Sequence, residues 1–176
     1  MALVLNGSGS ITGLSAGGLP DGSVTADDIA SLPAGSVLQV VQGSTSTETS
    51  TNSTSYVDTI LTASITPSSA ANKILVLVSA AFYYERNTDS MEMNVRIVRG
   101  ASVVQEFRRI SIIRATKYSN LLGMGFQGFL QKLDSPSTTS STTYTLQIKA
   151  DDASSSTRIN KDNQGTSIIT LMEIAA

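Results

Sequence analysis

From Val37 onward, apolar residues fall at every second position, the period of a strand with one face covered. The run "VLQVVQ" predicts a first strand. In "YVDTILTASITP" the residues Val57, Thr59, Leu61, Ala63 and Ile65 share one side, and Pro67 with Ser68-Ser69 ends the run. "KILVLVSAAFYY", "MEMNVRIV", "ASVVQEFRRISII", "NLLGMGFQGFLQKL", "TYTLQIKA" and "TSIITLMEIA" predict further strands, with turn signals such as Arg99-Gly100 between them. Between the first two strands, Ser44 to Ser55 holds ten Ser or Thr in twelve residues and reads as an exposed loop. Many short strands at this spacing predict an all-β antiparallel sandwich or barrel.

Three of these strands depart from simple alternation. Ile74, Val76, Val78, Ala80 and Phe82 oppose Leu75, Leu77, Ala81 and Tyr83. Leu122, Met124, Phe126 and Leu130 oppose Leu121, Phe129 and Leu133, and Ile168, Met172 and Ile174 oppose Ile169 and Leu171. A strand of a lone sandwich buries one face and wets the other. Strands apolar on both faces need a second cover, and no amphipathic helix of the domain supplies it. A contact between copies of the chain is the simplest source, with Leu75, Leu77, Phe126, Phe129 and Leu171 as the residues expected in it. A central strand of a small barrel is the alternative.

The first 36 residues read differently. Two short apolar runs flank Asn6-Gly7, a dipeptide suited to a tight hairpin turn. "SVTADDIASLP" predicts one short helix, with Thr25 as N-cap, Asp27 and Asp28 in its first turn and Pro33 as its stop. A helix of two turns is not stable alone. Residues 1–36 are therefore expected to be an arm that packs Leu14, Leu19, Val24, Ile29 and Leu32 on a partner, and residues 37–176 a separate β-sandwich head.

Composition narrows the chemistry. Charged residues make up only 15% of the 176, and the net charge of −2 gives no bulk attraction to nucleic acid or an acidic membrane. The chain has no Cys and no His, which excludes disulfides, His-based zinc sites and a Ser-His-Asp triad. No basic and apolar leader and no membrane-length apolar run is present, so neither secretion by signal peptide nor membrane insertion is expected.

The stretch "GLSAGGLPDGSVTADDIA" resembles the N-terminal segment of tailed-phage fibre and other virion structural proteins, especially those of marine and cyanobacterial phages. "FLQKLDSPSTTSSTTYTLQIKA" and "GTSIITLMEIAA" resemble the last strands of the globular heads of such proteins. The resemblance implies a trimeric jelly-roll head, similar to tumour necrosis factor and the complement globular head, carried on an N-terminal arm that attaches to tail, neck or capsid proteins. It implies a virion protein without enzymatic activity: a short tail fibre or knob that contacts host-surface glycan, or a capsid decoration or head fibre that does not. The chain has no long repetitive shaft, so a stubby fibre is expected.

Arg96, Arg99, Arg108, Arg109, Arg114 and Lys117 hold six of the twelve basic residues. They read as a solvated strand face paired with Glu85, Glu92 and Glu106, against an anionic-glycan patch as the sharper alternative. Asp151-Asp152 and Asp162 lack calcium-loop spacing, so no metal and no cofactor is expected. Asn52-Ser53-Thr54 matches a glycosylation acceptor of no use to a phage in a bacterium. Tyr83, Tyr84 and Tyr118 read as strand packing rather than sugar platforms. No acid pair is singled out for glycan cleavage. Receptor contact, if any, is expected from polar loops, through Thr47, Asn52, Arg86, Asn87, Asp152 and Ser155.

Overall fold

The computed structural model describes residues 4–5, 11–12, 32–86, 90–114 and 122–176. The chain divides into two compact units, Met1–Pro33 and Ala34–Ala176. In the first, β1 (Val4–Leu5) pairs antiparallel with β2 (Ile11–Thr12), Leu5 opposite Ile11. That register is wider than a two-residue Asn6-Gly7 turn would set. The expected helix after Thr25 and the arm residues Leu14, Leu19, Val24 and Ile29 lie outside the described residues; Leu32 is exposed.

The second unit is a sandwich of antiparallel sheets, with no α-helix among the described residues. Its strands are β3 (Val37–Thr45), β4 (Thr49–Thr51), β5 (Val57–Ile65), β6 (Lys73–Arg86), β7 (Ser90–Arg99) and β8 (Ser102–Arg114). They continue with β9 (Leu122–Asp134), β10 (Thr142–Lys149), β11 (Ser156–Ile159) and β12 (Ser167–Ile174). One sheet has four strands in the order β5-β10-β7-β8. The other has six and is built on β6. Along one edge of β6 run β12, opposite Lys73–Ser79, and then β11, opposite Phe82–Glu85. β9 pairs along the whole other edge, β3 lies outside β12, and β4 lies outside β11.

The two-faced strands fall in this larger sheet, and period two decides what each residue does. Ile74, Val76, Val78, Ala80, Phe82 and Tyr84 point inward and are buried, against Leu61 and Ile65 of β5 and Leu146 and Ile148 of β10. Close approach is demanding at Gly43 of β3, where a Cβ would collide with the Thr62 carbonyl of β5, and at Gly128 of β9, where it would lie 2.6 Å from the Phe82 ring.

The expected Ser44–Ser55 loop is in fact two strand segments, the end of β3 and β4, joined at residues 46–48. Asn160, buried at a left-handed φ of 53°, holds that junction: its Nδ2 donates to the carbonyls of Thr45 (3.0 Å) and Thr47 (3.2 Å), and its Oδ1 accepts from Ser167 Oγ (2.8 Å).

The sandwich has two unlike ends. At the proximal end the unit's first residues meet its last: Gly35 N donates to Ala175 O (2.8 Å), and Ala175 N donates to Ser36 O (2.9 Å). The 66–72, 100–101 and 135–141 connections share that end. The opposite, distal end carries the connections 52–56 and 150–155.

Candidate functional site

The outer faces of the two sheets differ in kind. On the four-stranded sheet most outward side chains are polar and pair with one another, with Ile60, Val103 and Ile112 as scattered exposed apolar residues. Ser64 and Thr143 hydroxyls lie 2.7 Å apart, Thr62 and Thr145 lie 3.3 Å apart, and Gln147 Nε2 donates to Asp58 Oδ1. The outward side of β6 instead carries Leu75, Leu77, Ala81 and Tyr83. The register sets Leu133 and Met172 on either side of Leu75, and Phe129 and Ile168 on either side of Ser79. Val40 continues the apolar band onto β3, opposite Met172. Phe129 projects with 77% of its surface exposed, beside a hollow of about 510 Å³ lined by Leu77, Ser79, Gln131, Ile168 and Thr170. Four strands at ~4.8 Å spacing, each ~8 residues long at ~3.3 Å, make this face roughly 500 Å² in projection. Polar side chains share it, with Gln42, Thr170 and Gln131 in the row of Leu77, so the apolar part is a band within the face.

Of the residues expected between copies, Leu75, Leu77 and Phe129 lie on this face. Two are corrected. Leu171 shares the inward parity of Ile169 and is 0% exposed, and Phe126 turns into the core, its ring 5.6 Å from Phe82 and 6.4 Å from Tyr84. Both belong to the fold of one chain. Alternation identifies which residues share a face without saying which face is inside.

Toward the distal end the same face becomes ionic. Arg158 bridges Glu85 (2.8 Å) and Glu48 (3.3 Å), and Lys161 Nζ lies 3.0 Å from Glu85 and 3.9 Å above the Tyr83 ring. Burial opposes ionisation of Glu85, but Lys161 and Arg158 outweigh it and hold the carboxyl below its ordinary range. With Lys161 over its ring, Tyr83 offers no open stacking surface. Tyr84 is buried, its hydroxyl 2.9 Å from Ser111 Oγ, and Tyr118 lies outside the described residues.

The expected contact loops are not all together. Asn52 and Asp152 share the distal end, where Ala150 N donates to Ser53 O (2.8 Å). Thr47 is exposed at the junction held by Asn160, along the sheet rather than at its end. Arg86 and Ser155 are corrected: both are buried, Arg86 at the inward end of β6 and Ser155 under Asp152, whose Oδ1 accepts from its hydroxyl (3.0 Å). Asn87 lies outside the described residues.

The basic residues of β7 and β8 take local partners. Arg108 pairs with Glu106 (2.8 Å), Arg109 with Glu92 (2.8 Å) and Arg99 with Asp134 (3.1 Å). Arg96 stacks 4.2 Å over Tyr56, whose hydroxyl donates to Glu106 (3.0 Å). Burial, helped by that bond, pushes the Tyr56 hydroxyl well above its ordinary value. Glu85, expected to pair with this cluster, pairs with Arg158 and Lys161 instead. Side chains of Arg114 and Lys117 lie outside the described residues. Asp151 and Asp162 serve different segments, and no group of three acids among the described residues is placed to hold a metal ion.

The buried polar site that sequence reasoning missed is Glu173, fully enclosed at the proximal end. Its signal was an acid on the inward parity of Ser167, Ile169 and Leu171. No family model matches the chain, and no curated protein matches it.

Proposed function

We propose that this chain is a structural component of a phage virion, a short trimeric fibre or knob whose head contacts the host surface. The observation that carries the reading is the asymmetry between the sheets: one outer face is mostly polar with only scattered apolar residues, and the other carries a connected apolar band through Leu75, Leu77, Phe129, Leu133 and Met172. A second copy of the chain is the cover that suits it. Fully burying a Phe, Leu or Met is worth about 1.5–3 kcal/mol. Several such residues per copy are enough to exceed an association cost of about 4–15 kcal/mol.

The strand order supports a jelly-roll head of the tumour necrosis factor type. β3-β12-β6-β9 lies over β5-β10-β7-β8, the connectivity of two interleaved Greek keys. In such a trimer the apolar band is taken up at the axis and the polar sheet stays outside. Residues 1–36 act as the attachment arm, and three heads on one particle raise weak individual contacts by avidity.

Light scattering of the purified protein tests this reading. Three times the chain mass of 18.4 kDa is expected, and a stable monomer at micromolar concentration overturns it. Antibody labelling of intact particles then separates a tail fibre from a capsid decoration.

A further inference from the structure

The two adjacent arginines of β8 are the least regular feature of the four-stranded sheet. Arg109 has a φ of 57°, a left-handed torsion that costs a non-glycine residue energy, and the β7–β8 register slips between Met93 and Val95, directly across from it. A bulge of this kind re-aims side chains. In a regular strand Arg108 and Arg109 would face opposite sides of the sheet; here both line one hollow of about 480 Å³, together with Glu92, Asn94, Lys149 and Asp151.

Their ion pairs leave capacity over. Arg108 and Arg109 engage Glu106 and Glu92 through Nε, and their side chains stay 75% and 61% exposed. The outer guanidinium nitrogens have no protein partner among the described residues, so each presents an unused fork. The paired acids act as braces that fix the direction of each fork; exposed pairs of this sort contribute little to stability. Lys149 adds a third cation at 5.1 Å from the Tyr56 ring. The hollow also holds acceptors, the carboxylates of Glu92 and Asp151. It lies toward the distal end, beside the 150–155 connection and away from the point where the chain enters the head.

We propose that this hollow binds an acidic saccharide of the host surface, an inference that rests on the host-contact reading above. A sugar carboxylate takes the planar forks of Arg108 and Arg109, the geometry for which Arg is suited and Lys is not. Ring hydroxyls donate to Asp151 and Glu92. An anionic polymer without hydroxyl donors, such as polyphosphate, is a poorer fit, because the carboxylates in the hollow repel it with nothing to offset them, and a neutral glycan leaves the forks unused.

The test uses the full-length protein, titrated calorimetrically with galacturonate and alginate oligosaccharides, their methyl esters and neutral dextran oligosaccharides. Binding to host cells is measured alongside. Saturable binding of an acidic oligosaccharide is expected, lost at least tenfold on methyl esterification and in the R108Q/R109Q double variant. The R108K/R109K variant, which keeps the charge and loses the forks, should also bind at least tenfold more weakly. Equal binding by wild type and both variants overturns the site while the host-contact reading stands. Binding to cells without binding to any acidic oligosaccharide overturns the ligand class alone. If wild type binds neither cells nor saccharide, the host-contact reading fails and this inference falls with it.

Discussion

Asn72 Nδ2 donates to Glu173 Oε1 at 2.6 Å, deep in the proximal end of the sandwich. The same oxygen accepts from Ser68 N (2.7 Å) and Ser68 Oγ (2.8 Å), and Oε2 accepts from Gln39 Nε2. Asn72 Oδ1 in turn accepts from Ala176 N (3.2 Å). One carboxylate therefore ties together β3, β12, the 66–72 connection and the C-terminus. An unpaired buried carboxylate would be costly, and these donors are what make it tolerable.

A pH dependence follows from that cluster. Burial alone would raise the Glu173 pKa; the hydrogen bonds from Asn72, Gln39 and Ser68 outweigh it and bring it from 4.5 down to about 2. The folded value lies below the unfolded one, so the stabilisation is fully present above about pH 4.5 and is lost as pH falls toward 2. At about 1.4 kcal/mol per pH unit the full difference is of order 3 kcal/mol. Urea unfolding of wild type and Glu173→Gln should differ by about this amount at pH 7 and converge near pH 2. A constant difference across that range would assign the stabilisation to packing instead.

Phe129 and Leu171 should behave as opposites. Phe129→Ser removes apolar surface from the outer face, so it should leave the fold of each chain intact and shift the light-scattering mass toward a monomer. Leu171→Ala opens a cavity between the sheets and should cost about 2–5 kcal/mol in denaturant unfolding, with the surviving folded protein still associated. A Phe129 variant that keeps its mass would remove that side chain from the interface.

A tight backbone approach at Gly43 gives a third test. A methyl group at Gly43 meets the Thr62 carbonyl, a backbone atom that cannot rotate away. Gly43→Ala should therefore destabilise by about 1–3 kcal/mol or more, although Ala is the smallest possible addition. Gly100→Ala, at an open turn with φ 55°, meets no atom and carries only a torsional cost. The melting temperatures of the two variants should rank in that order.

Deleting residues 1–36 should leave a folded head that keeps its oligomeric mass and no longer enters particles, because strands β3 to β12 supply the whole core. Particles that incorporate the truncated protein would locate the anchor in the head.

Much of this architecture was legible in the alternation of β5, β6, β7, β10 and β12, because a strand half-covered by a core must repeat every two residues. The same rule grouped Leu75 with Leu77, and Ile169 with Leu171. It was silent on which group lay inside, since both were apolar, and only the second sheet decided that Leu171 is core while Leu77 is surface. Strands β4 and β11 were invisible for a related reason. Their Ser- and Thr-rich sequences have no apolar period of their own, and they are strands because the long edge of β6 offers hydrogen bonds beyond the end of β12. Burial of Glu173 and Arg86 also required the tertiary structure, because a charge at a strand end reads as solvated until the groups around it are known. The bulge at Arg109 was set by a slip in pairing between two strands, a relation that neither strand's own sequence contains.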